Sequence, residues 1–178
     1  MSQHIMVDLE TWGTGSDALV VSIGACRFNP MGGAIEDRFY VAIDPESAKQ
    51  AGLTLTTDTL LWWMAKERSE ARETWLAQNR VDIWTALQGF ADWATSNEFN
   101  LVWGNGATFD NVILRNAFEK AAVPCPWKFW QDACYRTLKG LAPAIKIERS
   151  GTHHDALDDA VDQAVHMQAV VAHLGLAL

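Results

Sequence analysis

Cysteine is scarce, and Cys26, Cys125 and Cys134 are odd in number without CxxC spacing. That excludes a disulfide framework and a structural zinc site of the usual ligand spacing, and it suits a reducing compartment. Long apolar runs are missing as well. No stretch approaches the roughly 20 residues needed to cross a bilayer, and the N-terminus enters a strand pattern directly, without a charged and then apolar leader. The expectation is a soluble, cytoplasmic protein with no membrane partner. Basic residues are outnumbered, with 14 Lys and Arg against 22 Asp and Glu and a formal charge of −8, which argues against gripping a polyanion by a general basic surface. The deficit is uneven, since Lys128, Arg136, Lys139, Lys146 and Arg149 face only Asp132 and Glu148 across their segment. Acids gathered around bound cations also count as negative, although the ions would cancel them. No repeat, low-complexity tract or linker interrupts the 178 residues, and a single core commonly serves roughly 100 to 200 residues, so residues 1–178 read as one domain. At 49% hydrophobic and 20% charged, the chain has the apolar content to fold, which a disordered chain lacks.

Three strands open the chain: His4 to Leu9, Leu19 to Phe28 and Arg38 to Ile43. The turn clusters Gly13 to Asp17 and Asn29 to Gly33 separate them, and two short connections predict an antiparallel meander. The middle is helical. Asp58 caps a segment carrying Leu60 to Met64, and further helices are expected over Glu70 to Gln78 and Val81 to Trp93. Phe99 to Trp103 then reads as a strand, Asp110 to Ala122 as a helix closed by Pro124, Trp127 to Gln131 as a strand and Asp132 to Leu138 as a helix. Asp155 to about Leu174 is a long helix, apolar around most of its circumference and therefore packed against the sheet. The fold class is α/β, a mixed sheet flanked by helices.

Asp8 and Glu10 lie two apart at the end of the first strand, so both carboxylates point to one face. They repel unless a cation binds, and hard divalent ions such as Mg²⁺ prefer oxygen ligands; the plain alternative is a pair of strand-end charges in water. Asp44 and Glu46 have the same spacing, but Pro45 and the polar run Ser47 to Gln50 make a solvated loop the better reading there. Asp110 follows a strand and a polar loop, at the sheet edge where ligands usually bind, although a helix cap would also explain it. His153 and His154 precede a helix whose first turns carry Asp155, Asp158 and Asp159. Acids there complement the helix dipole without any catalysis. On a buried helix, however, they need a positive partner, and no neighbouring Lys or Arg in the sequence supplies one.

In order, these segments resemble the three motifs of the DEDD exonucleases of the ribonuclease H-like fold, in the branch with a histidine base. The matching pieces are Asp8-Leu9-Glu10, the run Asn105 to Asp110, and His154-x-Ala156-x-x-Asp159. The N-terminal run Asp8 to Thr14, Val21 to Ala25 and Leu61-Trp62-Trp63 are similar to the ribonuclease T-like exonucleases of phages and bacteria. The resemblance covers residue 5 to about 170. It implies a ribonuclease H-like mixed sheet and hydrolysis of terminal phosphodiester bonds of DNA or RNA from the 3′ end. It also implies two divalent cations, Mg²⁺ with Mn²⁺ as substitute, one held by Asp8, Glu10 and Asp159 and one by Asp8 and Asp110, with His154 as general base. Asp155 and Asp158 are nearby alternatives among which helical periodicity does not choose, and the motif's spacing to His154 selects Asp159; His153 is an alternative base, and the family's five-residue interval favours His154.

Phosphodiester hydrolysis needs an activated water, a stabilised phosphorane-like charge and a neutralised 3′ oxygen, and two ions about 4 Å apart serve all three. A neutral imidazole takes the water's proton at physiological pH. The implied partner is a nucleic acid with a free 3′ end, single-stranded or with a 3′ overhang. Aromatic side chains stack on terminal bases without demanding a sequence, which makes Trp62, Trp63 and Met64 candidates. Adjacent tryptophans on a helix point apart, so one belongs to the core and one to the substrate, and Trp63 and Met64 carry the substrate assignment. By analogy with the family, Leu9, Thr11, Asn105 and Phe109 complete it. The family and the abundant tryptophan also point to a homodimer. The rival reading is a noncatalytic nucleic-acid-binding module on the same fold.

Overall fold

Alternating apolar residues in the first third of the chain build a meander, and everything that follows is laid on or beside it. The computed structural model describes residues 3–35, 37–151 and 153–178. Six strands form one sheet in the order β4-β3-β2-β1-β5-β6. They are β1 (His4–Thr11), β2 (Val20–Phe28), β3 (Arg38–Ile43), β4 (Arg80–Val81), β5 (Val102–Gly104) and β6 (Asp132–Cys134). The first three pair antiparallel, whereas β5 joins β1, β6 joins β5 and β4 joins β3 in parallel. Seven α-helices flank the sheet among the described residues: α1 (Pro45–Gln50), α2 (Thr57–Met64), α3 (Ser69–Ala77), α4 (Ile83–Thr95), α5 (Asp110–Lys120), α6 (Tyr135–Gly140) and α7 (Ala156–Leu174). This is the mixed, helix-flanked sheet that the sequence pattern implies.

The period of two along β1 sorts its side chains into two cores. Ile5, Val7 and Leu9 pack with Leu87 and Phe90 of α4 and with Ile113, Leu114 and Phe118 of α5. Met6 faces the other way, toward Ala160, Ala164, Met167 and Val171 of α7. Phe90 and Phe118 are fully buried, and each such side chain contributes about 1.5 to 3 kcal/mol, enough to hold α4 and α5 firmly. Asp8 and Glu10 continue the row of Met6, so the strand turns them toward α7.

Expectations change at several elements: α2 begins at Thr57 after Thr56, so Asp58 lies inside its first turn and does not cap it, and the strand expected from Phe99 begins only at Val102. Residues 45–50 form a helix and not a solvated loop, because the Asp44 carboxylate accepts from the backbone N–H groups of Glu46 and Ser47 and Pro45 starts the first turn. Arg80 and Val81 pair with β3 as β4, and α4 begins only after Asp82 has capped it through the N–H of Thr85. The strand expected at Trp127 to Gln131 is instead a buried Trp127 followed by a single 3-10 turn, Phe129–Gln131. There the Gln131 side chain bonds back to the Lys128 N–H and the Trp127 indole donates to Asp132. The strand is Asp132–Cys134, and the following helix starts at Tyr135. Among the described residues, no helix is long and apolar enough to cross a membrane.

Candidate active site

The parallel strands β1 and β5 end at one edge of the sheet, and the carboxylates collect there. Asp8 and Glu10 project from β1, and Asp110 opens α5 directly after the loop that follows β5. Its helix comes close to the strand because residue 104 is glycine: a Cβ there would lie 2.9 Å from that of Asp110. Across the sheet, Gly24 of β2 pairs with Asp8. A Cβ at Gly24 would overlap the backbone of Ala156 and Leu157 at the start of α7. Both acid-bearing helices are thus seated on glycines, and the first turn of α7 lies almost on the strands.

That turn separates the aspartates. The Asp155 carboxylate caps the helix, accepting from the N–H groups of Leu157 and Asp158. Asp158 lies beside Gly151. Asp159 turns inward, and one of its oxygens lies within 4.8 Å of one oxygen each of Asp8 and Glu10. One Asp8 oxygen accepts from Gln163 Nε2 at 2.7 Å. Arg149 donates to Asp159 at 3.0 Å, and His153 stands 3.9 Å from its other oxygen. The positive partner that the sequence seemed to deny to this helix therefore exists: Arg149 comes from the loop before the helix, ten residues away. Among the described residues Arg149 is the site's one ion-paired arginine, Arg136 acts on Asp110 without a salt bridge, and no salt bridge reaches Asp8, Glu10 or Asp110.

The electrostatics follow from that arrangement. Burial, and then the neighbouring acids, hold Asp8 and Glu10 well above the usual carboxylate range. Burial pushes Asp110 up to about 7, against hydrogen bonds from the backbone of Leu9, Asp110 and Asn105. Burial also raises Asp159, with Arg149 opposing. Crowded carboxylates in a partly dry site are an arrangement that a divalent cation relieves. The donor set consists of hard oxygens without a thiolate, so the residues fit Mg²⁺ or Mn²⁺.

His154 adopts a left-handed backbone conformation (φ 67°) that a residue with a side chain rarely takes. Its N–H donates to Asp159 at 3.1 Å, and its ring lies 3.8 Å from that of His153 and 5.0 Å from that of Trp62. Burial, with His153, Arg68 and Arg149 nearby, lowers its pKa to about 4. Beside it opens a groove of about 500 Å³ whose walls include Leu9, Glu10, Thr11, Trp62, Trp63 and Phe109. Of the two tryptophans, Trp63 is the packed one, 7% exposed and donating its indole N–H to the Thr11 carbonyl, whereas Trp62 is 40% exposed. Met64 is more exposed still and is not among the walls of the groove. Asn105 is also outside this groove; its carbonyl accepts from Arg136, and it lines a separate cleft. Residues 8, 9, 10, 11, 62, 63, 109, 110, 154 and 159 are thus gathered around one centre, while Met64 and Asn105 lie at its margins.

A family profile described as the 3′-5′ exoribonuclease Rv2179c-like domain matches residues 3–171. The chain belongs to this family. The family is described as one of 3′-5′ exoribonuclease domains, and the DEDDh features of the sequence agree with that membership. No curated protein matches the chain by sequence at a significant level. Solved structures share the fold of this family member. Escherichia coli exonuclease I in complex with a dT13 oligonucleotide superposes with a TM-score of 0.70 at 15% identity, over 98% of this chain and 42% of that one. The nuclease domain of 3′hExo, a DEDDh family member bound to rAMP, gives 0.63 at 13% identity, over 98% and 93%. Cell-death related nuclease 4 gives 0.55 at 12% identity, over 98% and 65%. The chain spans about two fifths of the exonuclease I chain.

Proposed function

We propose that this chain is a 3′-5′ exonuclease that removes terminal nucleotides from a single strand, with Asp8, Glu10 and Asp159 holding one divalent cation and Asp8 and Asp110 a second. The observation that carries the reading is the meeting, within 4.8 Å, of carboxylates separated by about 150 residues of chain, beside a histidine and an open aromatic groove. Mg²⁺, with Mn²⁺ as substitute, supplies Lewis acidity when bound, activating a water and offsetting charge on the phosphate. His154 takes the proton from the attacking water at an imidazole nitrogen. Its depressed pKa keeps it neutral and available near pH 7, and the incoming phosphodiester anion stabilises the imidazolium as it forms. Gln163 holds one oxygen of Asp8, and Arg149 one oxygen of Asp159, so both carboxylates keep a fixed orientation.

The terminal nucleotide enters the groove between Leu9, Trp62 and Phe109. Trp62 offers a ring face for stacking, and Trp63 holds the Thr11 backbone in position from behind. The family description supports RNA as the strand. The test is incubation of 5′-labelled RNA and DNA strands with Mg²⁺, with Mn²⁺ and with EDTA. A ladder that shortens from the 3′ end only with metal supports the proposal; retention of the strand without cleavage means a noncatalytic binding module.

A further inference from the structure

The chain carries a net charge of −8, yet one cleft outside the carboxylate centre is basic. It has a volume of about 440 Å³, and Arg136, Lys139, Lys146 and Arg149 contribute to its walls. Asp162 is the single acid among those walls, and its oxygens are already taken by the N–H and hydroxyl of Ser150. The segment bearing Lys146 and Arg149 is pinned. His166 Nε2 donates to the Ile145 carbonyl at 2.9 Å, which leaves Nδ1 to accept from the Tyr135 hydroxyl at 2.6 Å. Buried groups of α6 and α7 thus fix the backbone on which these cations stand. Lys128, basic in the same stretch of sequence, belongs to a different hollow beside Arg115 and Phe129.

The basic cleft adjoins the carboxylates through two hydrogen bonds already described, Arg149 to Asp159 and Gln163 to Asp8, and both donors lie in its walls. The aromatic groove borders the same carboxylates through Leu9 and Glu10, and the two clefts share no wall residue. A strand cut at its last phosphodiester has one nucleoside on one side of the scissile phosphate. The remainder, on the other side, carries one negative charge per nucleotide. An aromatic surface suits the first, and a row of cations suits the second.

We propose that the cleft of Arg136, Lys139 and Lys146 carries the phosphate backbone of the polynucleotide upstream of the bond being cut. This inference rests on the exonuclease reading. It makes the enzyme favour strands several nucleotides long over dinucleotides, and it makes strand capture dependent on salt.

The experiment compares wild type, the double variant Lys139→Gln/Lys146→Gln and the control Lys128→Gln. It measures the affinity of a labelled single-stranded octanucleotide by anisotropy in Ca²⁺, and kcat/KM in Mg²⁺, both across a series of KCl concentrations. Each phosphate contact on a single strand contributes about 0.7 to the slope of log K on log salt. The double variant should therefore flatten the binding slope by about 1.4, while Lys128→Gln leaves it as in wild type. An active enzyme whose slope is the same in the double variant, or changes equally in Lys128→Gln, overturns the proposed path and leaves the exonuclease standing. A wild type that never shortens the strand, yet binds it with a slope that only the double variant flattens, keeps the path and sinks the exonuclease.

Discussion

Replacing Asp110 with Asn should make the metal-free protein more stable, although it removes a residue assigned to catalysis. Asp110 is 3% exposed, and burial raises its pKa from 3.8 to about 7. The folded protein therefore holds this proton more tightly than the unfolded chain does. The stability that the group contributes is complete below about pH 4 and is lost as pH rises through 7. A shift of about 3 units at about 1.4 kcal/mol each amounts to about 4 kcal/mol by pH 8. An amide escapes that cost but forfeits part of the backbone hydrogen bonding, about 1 to 2 kcal/mol, leaving a net gain of about 2 kcal/mol. For a chain of this length that is a rise in Tm of roughly 4 to 8 °C. Thermal melts in EDTA from pH 4 to pH 8 should show Asp110→Asn behind wild type by about 1 to 2 kcal/mol at the acid end, where only the lost hydrogen bonding counts, and ahead at pH 8. Adding Mn²⁺ at pH 8 should raise wild type more than the variant, because the cation stabilises only a state that binds it. A variant that melts at or below wild type at pH 8 in EDTA, with a gap that does not change with pH, would refute this account of the site's electrostatics.

Three further outcomes are expected. His154→Ala should lower kcat by about 10² to 10⁴ while keeping the Mn²⁺-induced rise in Tm; turnover at the wild-type rate removes the imidazole from the mechanism. Trp62→Ala should raise KM for short strands roughly fivefold or more, from about 1 kcal/mol or more of stacking per base, with Trp63→Ala mainly lowering Tm; steady-state kinetics and melts on both variants separate the two roles. Gly24→Ala should cost about 1 to 3 kcal/mol or more through overpacking and also weaken Mn²⁺ binding, since the new methyl meets helix backbone; calorimetric titration with wild-type affinity would show that α7 can shift without consequence.

What the sequence discloses is whatever is local. The alternation in β1 announces that Asp8 and Glu10 share a face, and the apolar length of α7 announces burial. Contacts made at a distance stay hidden. The choice of Asp159 over Asp155 and Asp158, which only the motif spacing to His154 implies, depends physically on a cap and on the close seat at Gly24. Arg149 reaches the helix only because a loop brings it back, and the order of Trp62 and Trp63 turns on a single indole bond to Thr11. Among the elements, β4 is too short to carry a periodic signal. The capping signals of Asp44 and Pro45 were present, but the polar run that follows them masked the helix.

The two glycine seats bear on how the enzyme would meet ions of different size. At Gly24 the strand meets the main chain of α7, and at Gly104 it meets the Asp110 and Asn111 side chains of α5, so neither helix has slack to slide inward. Any adjustment between a small ion and a larger one must come from torsions of the carboxylates themselves, within reach of Gln163 and Arg149. Selectivity among divalent metals is then a property of a few rotatable bonds mounted on a rigid frame.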